Sequence, residues 1–235
     1  MGGDAEAALL AEQIDYYRAR ASEYDEWWLR QGRYDHGPAQ NAQWFAEAAE
    51  VERAVAAAPI QGDVLELAAG TGLWSERLRP RVRTLTCVDA SPEALGMNRA
   101  RLQDPRVRYV RADLFDWQPG RDYDAVFFSF WLSHVPESRF EAFWALVRRA
   151  LRPGGAAFLV DSRYAQTSTA VDHRLGDPAD TTRERRLNDG RTFHVVKVFH
   201  ERAALTRRLA ALGWSASLEE TAVHFLYGLC RPQVQ

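Results

Sequence analysis

The chain has 235 residues, 46% of them hydrophobic and 11% aromatic, with a formal net charge of −2 at pH 7. That length supports one sizeable core rather than two full domains. The near-neutral balance, with Lys197 the sole lysine, offers no basic face for nucleic acid. The opening MGGDAEAALLAEQ is acidic and lacks a basic n-region and an apolar h-region. The longest apolar run, Ala125 to Leu132, is too short to cross a bilayer, so a cytoplasmic protein without membrane contact is expected.

The elements read in order as follows. From Ala5 to Leu29, Leu10, Ile14, Tyr17, Ala21, Tyr24 and Trp28 recur at alternating steps of four and three, the signature of one aromatic helix face. After a Gly/Pro-bearing loop, a second helix carries Trp44, Ala48, Val51 and Val55 on one side and stops at Pro59. From residue 62 short strands alternate with helices: DVLELA, then LWSERLR ended by Pro80, then TLTCVDA. Ser91 has the place of an N-cap and Pro92 that of the first helical residue of PEALGMNRARL. The strands RVRYVRAD and YDAVFFSF follow, then the helix ESRFEAFWALVRRAL ending at RPGG, then the strand AAFLVDS. This alternation implies a parallel sheet covered on both faces. Beyond Asp161 the pattern changes to a hairpin around Asn-Asp-Gly, a helix ERAALTRRLAALG, and two more strands, WSASLEE and AVHFLYGLC.

VLELAAGTGLW, Val64 to Trp74, carries the chemistry. It is a strand that breaks into Gly70-Thr71-Gly72 and restarts as a helix, and in an open parallel sheet ligands bind beyond such strand ends. A dinucleotide fingerprint would place a third glycine where Ser75 stands. Glu66, inside the strand, suits a positively charged ligand better than a pyrophosphate. Asp89, nineteen residues after Gly70 and ending the second strand, is placed to accept both ribose hydroxyls. Asp113, ending the third strand, is placed to accept from an adenine amino group. Three acids at three successive strand ends fit a cationic adenosyl ligand.

VLELAAGTG, VDASPEAL, ADLFDW, YDAVFFSFWLSHVP and LRPGG together resemble the class I S-adenosylmethionine-dependent methyltransferases over roughly residues 14 to 161. The resemblance implies a Rossmann-like α/β fold with a seven-stranded, mostly parallel sheet, helices on both faces, an N-terminal helical lid and a C-terminal cap hairpin. It implies S-adenosyl-L-methionine (SAM) as cofactor, with Glu66, Ala68, Gly70, Gly72 and Trp74 around its methionine part. Asp89 and Ala90 then serve the ribose, Ala112, Asp113 and Leu114 the adenine, and Ser129 and Phe130 the loop after the fourth strand. Many members have glycine where this chain has Ala68. In similar enzymes a YYxxRAxxYD segment folds over the cofactor. Tyr17, Arg20 and Tyr24 stand there, Arg20 to pair with the methionine carboxylate and the aromatic face to attract the sulfonium. The same periodicity equally describes a helix face packed in a core.

One domain is expected over 1–235: a helical lid region (1–58), a cofactor-binding core (62–161), a cap insertion (162–200) and a C-terminal helix with strands (201–235). The reaction implied is in-line methyl transfer to a small-molecule acceptor, with oxygen the expected nucleophile and nitrogen next. His134, after the fourth strand, is the acid-base candidate, though it also has the place of a packing or capping residue. A nicotinamide-dependent oxidoreductase and a non-catalytic adenosyl-binding protein are the competing readings. The acceptor pocket is expected between the lid, the loop at Trp131 and the hairpin, with an apolar lining drawn from Trp27, Trp28, Trp131, Phe193 and Tyr227. The RERR cluster, Arg183 to Arg186, leans toward a macromolecular acceptor, but Glu184 interrupts it. Neither His173, His194, His200 and His224 nor the lone Cys87 and Cys230 have metal-ligand spacing, so no metal is expected. The oligomeric state is left open.

Overall fold

Every residue of β1 (Asp63–Leu67) is buried, the condition of a strand whose sheet is covered by helices on both faces. Its neighbours are β2 (Thr84–Asp89) on one side and β4 (Tyr123–Ser129) on the other, both parallel. In the computed structural model, which describes residues 3–233, the seven-stranded sheet has the order β3-β2-β1-β4-β5-β9-β8. β3 (Val107–Arg111) and β5 (Leu151–Ser162) extend the parallel set. β9 (Phe225–Pro232) runs antiparallel to β5 and to the edge strand β8 (Trp214–Glu220). The order reverses between β1 and β4, so a crevice opens at their carboxyl ends.

Alternation along the strands divides the core. Val64 and Phe127 face α3 (Pro38–Ala57), α4 (Leu73–Leu78) and α5 (Pro92–Leu102) through Trp44, Trp74 and Leu95. Leu65, Val126 and Phe128 face α6 (Phe140–Ala150) and α7 (Arg202–Ala211) through Phe143, Trp144 and Leu205. Ser91 caps α5 as expected, its hydroxyl accepting from the Ala94 amide at 3.0 Å. The RPGG stretch lies past the end of α6, as expected, and already belongs to β5, because Leu151 pairs with Tyr123.

The single N-terminal helix expected over residues 5–29 is two. α1 (Gly3–Arg20) gives way to a turn at Ala21–Glu23, and α2 (Tyr24–Trp28) follows it. No proline forces this break. Packing does: the Arg20 guanidinium lies over the Tyr16, Tyr24 and Tyr34 rings, while Trp27 and Trp28 turn inward against Trp44 and Phe130. α1 rests on the hairpin of β6 (Thr182–Arg186) and β7 (Thr192–Val196), a separate two-stranded sheet, burying Tyr16 against Leu187 and Val195.

Behind the β1–α4 turn lies a buried polar network. The Ser75 hydroxyl donates to Glu66 (2.5 Å), Asn98 donates to Ser75 (2.7 Å), and the Tyr109 hydroxyl donates to Asn98 (3.2 Å). Gly72 has φ +93°, and a Cβ there would stand 2.7 Å from the Asn98 side chain, so glycine is required on both counts. Ala68 also adopts a left-handed backbone, φ +50°, which costs a residue bearing a Cβ roughly 1–2 kcal/mol. Ala68→Gly is therefore expected to stabilise the fold by about 1 kcal/mol, raising the Tm by about 2–4 °C in thermal unfolding. An unchanged or lower Tm would contradict the strain at this position.

Burial raises the Glu66 carboxyl from the ordinary 4.5 to about 8. The unfolded chain releases this proton near pH 4.5 while the folded chain keeps it to about pH 8. Its stabilising contribution is thus full below the lower value and lost as pH rises to the upper one. The neutral isostere in Glu66→Gln escapes that loss, so its Tm advantage over the native protein should grow between pH 5 and pH 8; parallel Tm profiles would refute the shift.

Candidate active site

Two adjoining cavities occupy the crevice. The first, about 820 Å³, lies between α1 and the carboxyl ends of β1 to β4. Tyr17, Tyr24, Ala68, Gly70, Asp89, Ala90, Ala112, Asp113, Leu114, Ser129, Phe130 and His134 line it. Leu10, Ile14 and Ala21 also line it, so most of the periodic face of the N-terminal segment roofs a cavity rather than filling a core. Asp89 is held by backbone amides, Gly70 N–H at 2.8 Å on one oxygen and Ser91 N–H at 2.8 Å on the other. Burial raises its pKa. Asp113 accepts from the Phe115 amide at 2.9 Å. A Cβ built at Gly70 meets nothing within 4 Å, so its backbone borders open space. Two carboxylates at successive strand ends beside an open glycine turn fit an adenosyl group. Polar contacts pin the roof, Arg18 to Glu93 on α5 and Asp25 to Thr71 and Arg101.

Four expected cofactor residues do not reach this wall. Glu66 is 1% exposed and turned into the network with Ser75 and Cys87, so the direct contact expected with a cationic ligand is corrected. The alternation that buries Val64 and Leu65 on opposite faces also carries Glu66 beneath the turn rather than in front of it. Gly72 abuts Asn98, and Trp74 packs against Trp28 and Phe127. Arg20 is displaced too: the break after it places its guanidinium in the second cavity.

That second cavity, about 580 Å³, is bounded by α1, α2, the segment after β5 and the hairpin. Its lining is polar. Arg20, Arg185 and Lys197 converge on it with Tyr16, Tyr34, His173, Ser162, Ser168 and Thr169. Arg20 donates to the Tyr34 hydroxyl (3.1 Å) and Arg185 to the Glu184 carbonyl (3.1 Å); among the described residues neither meets a carboxylate. Lys197 donates to the Ser133 hydroxyl at 2.7 Å and stands 3.7 Å from Asp161. Burial lowers the pKa of Arg185, brings Lys197 down to about 8, and takes His173 to about 4.

The apolar lining expected for an acceptor is corrected accordingly. Of its residues, Trp27 borders the second cavity and Trp131 the first. Trp28 is core, Phe193 packs on Tyr16, and Tyr227 is bonded to Glu50. Sequence reasoning missed Arg185 and Lys197. The signal existed: residues two apart in a hairpin strand share a face, so Arg185 and Arg183 point away from Glu184 and Arg186. His194 pairs with Glu12 at the surface, His200 lies against Phe140, and His224 is buried beside Glu47. No cluster of three metal-ligating side chains occurs among the described residues, and none of their helices is long and apolar enough to cross a membrane.

Tyr17, Tyr24, Phe130 and His134 line both cavities and form the window between them. Phe130 adopts φ +53°, a strained backbone of the kind that concentrates at functional sites. His134 is buried. Its Nδ1 lies 2.6 Å from the Val196 carbonyl and its Nε2 2.7 Å from the Tyr17 hydroxyl.

A methyltransferase domain model matches residues 64–155. A demethylmenaquinone methyltransferase of Clavibacter sepedonicus is 41% identical over 103 residues, 43% of this chain and 41% of that protein, so the match covers less than half of this curated relative. Among solved structures, DhpI bound to S-adenosylhomocysteine (SAH) is 43% identical over 97% of this chain and 98% of that one, with a TM-score of 0.77. The DhpI complex with SAM and HEP is 42% identical over 95% and 98%, with the same TM-score of 0.77. With a relative this similar over nearly its whole length and the cavity built for an adenosyl group, the chain belongs to the class I SAM-dependent methyltransferases, and its cofactor is SAM.

Proposed function

We propose that this protein transfers the SAM methyl group to an oxygen of a small acceptor that carries negative charge. One observation carries the reading: Arg20, Arg185 and Lys197 line the second cavity, no carboxylate is among its described lining residues, and Asp161 stands 3.7 Å from Lys197 behind it. Buried charge persists only when something compensates it, and an anionic ligand compensates two guanidiniums that have no carboxylate of their own. That DhpI holds SAM and HEP together supports two adjoining sites. An amine acceptor would enter as an ammonium and be repelled by the same three cations.

In this reading Asp89 accepts the ribose hydroxyls, with Ala90 beside it, and Asp113 and Leu114 frame the adenine between Ala112 and Ser129. Ala68 and Gly70 border the methionine part, while Tyr17, Tyr24 and Phe130 surround the sulfonium at the window. SAM supplies an activated methyl group, and the chain's task is to align the acceptor oxygen behind it and to exclude water. Guanidiniums suit this because they bind oxyanions through a fixed fork of donors and hold the nucleophile in register. An ionised oxygen needs no base. His134 is correspondingly kept neutral, burial holding its pKa well below the ordinary histidine value.

The test is methyl transfer from radiolabelled SAM to a panel of small carboxylates, phosphate esters and phosphonates, with neutral alcohols and amines beside them. Product is expected with anionic acceptors. Arg185→Ala should raise the acceptor KM at least tenfold, in line with loss of a charged hydrogen bond, and leave SAH affinity within about threefold. Turnover of amines or neutral alcohols alone would refute the anionic reading.

A further inference from the structure

The window between the cavities holds a hydrogen-bond chain whose polarity is fixed. The Val196 carbonyl only accepts, so His134 Nδ1, 2.6 Å away, carries the hydrogen. Deep burial, with Lys197 and Arg185 nearby, disfavours the imidazolium, so Nε2 has a lone pair and no proton. The Tyr17 hydroxyl at 2.7 Å must then donate to it. Gln13, 3% exposed, makes the arrangement rigid: its amide nitrogen donates to the His134 carbonyl (3.2 Å) and its oxygen accepts from the Val196 amide (3.0 Å). With its hydrogen committed to His134, Tyr17 has only lone pairs to offer a ligand at the window.

The geometry points to Tyr17 as a proton-sensing group in the acceptor site: it selects acceptors that bring an O–H to the window over fully ionised ones, and His134 is the positioning residue that keeps it in that state. This rests on the reading of the second cavity as an anion site, with Arg20, Arg185 and Lys197 binding the ionised oxygens. A proton-bearing oxyanion places its hydroxyl on Tyr17 and its charged oxygens on the three cations. A fully deprotonated one sets an oxygen against the phenol lone pairs, or draws the phenol hydrogen away and leaves the buried Nε2 unpaired. Either outcome loses a hydrogen bond in a buried place.

Inorganic phosphate and sulfate separate these cases without knowledge of the natural acceptor. They have nearly the same size and shape, yet at pH 7 phosphate always carries at least one hydroxyl and sulfate carries none. Charge alone favours sulfate, so a preference for phosphate reads the hydrogen bond. With the SAH-loaded protein, calorimetry is expected to give phosphate binding about tenfold tighter than sulfate, the size of one buried hydrogen bond. Tyr17→Phe, measured at SAH concentrations that keep the variant saturated, should bring the ratio close to one. Equal binding of the two anions by the native protein, or a phosphate preference that survives Tyr17→Phe, overturns the assignment while leaving the anion site standing. Binding of neither anion overturns both. Should Tyr17→Phe not fold, the side-chain nitrogen resonances of His134 in the native protein decide: an unprotonated Nε2 and a protonated Nδ1 from pH 6 to 8 are expected, and an imidazolium or the opposite tautomer refutes the chain.

Discussion

Three stretches far apart in sequence, α1, the turn after β4 and strand β7, are joined through one imidazole. His134 reaches β7 through Nδ1 and α1 through Nε2, and Gln13 repeats the link at the backbone with a second pair of hydrogen bonds. Three of these four bonds are buried and the one to Tyr17 is part-buried, so leaving any of them unmade would cost more than it would at the surface. They fix the roof on the sheet, fix the hairpin on the roof, and define the window that both cavities share. In the proposed reading this one rigid junction sets the cofactor site and the acceptor site relative to each other, which a displacement reaction requires of its two reactants.

Electrostatics divides the two sides of that junction. On the cofactor side stand carboxylates, Asp89 and Asp113, and aromatic rings, matching a ligand that is cationic at sulfur and rich in donors at its ribose and adenine. On the other side stand Arg20, Arg185 and Lys197. In the proposed reading an anion held there and a sulfonium held opposite neutralise each other as the methyl group moves. The placement of Arg20 shows how local structure serves this division. The break at Ala21 leaves the guanidinium among three tyrosines and Trp27 and Trp28 against Trp44.

Much of this was legible in the sequence because it rests on short-range rules. The strands at Val64, Leu85 and Val126 announce themselves by short, mostly apolar runs, and Ser91-Pro92 marks a helix start by capping chemistry. The strand-end acids Asp89 and Asp113 follow from counting along alternating units. Positions that depend on which way a side chain turns were not legible. Glu66 has the right place in the chain for a ligand contact, but the pleat turns it beneath the loop into Ser75 and Cys87. Arg185 and Lys197 look like members of a solvated charged hairpin, and the docking of that hairpin under α1 half-buries the one and buries the other. The break in the N-terminal helix lacked any glycine or proline to signal it, because tertiary packing overrode a clean helical period.

The central claim is that the cofactor's sulfur faces the Tyr17–His134 window and that an anion sits across it. A crystal structure of the protein with SAH and inorganic phosphate tests this most directly. The account predicts SAH in the cavity of Asp89 and Asp113 with its sulfur toward Tyr17, and phosphate among Arg20, Arg185 and Lys197. Sulfur directed away from the window, or phosphate bound elsewhere with the three cations unengaged, would contradict it.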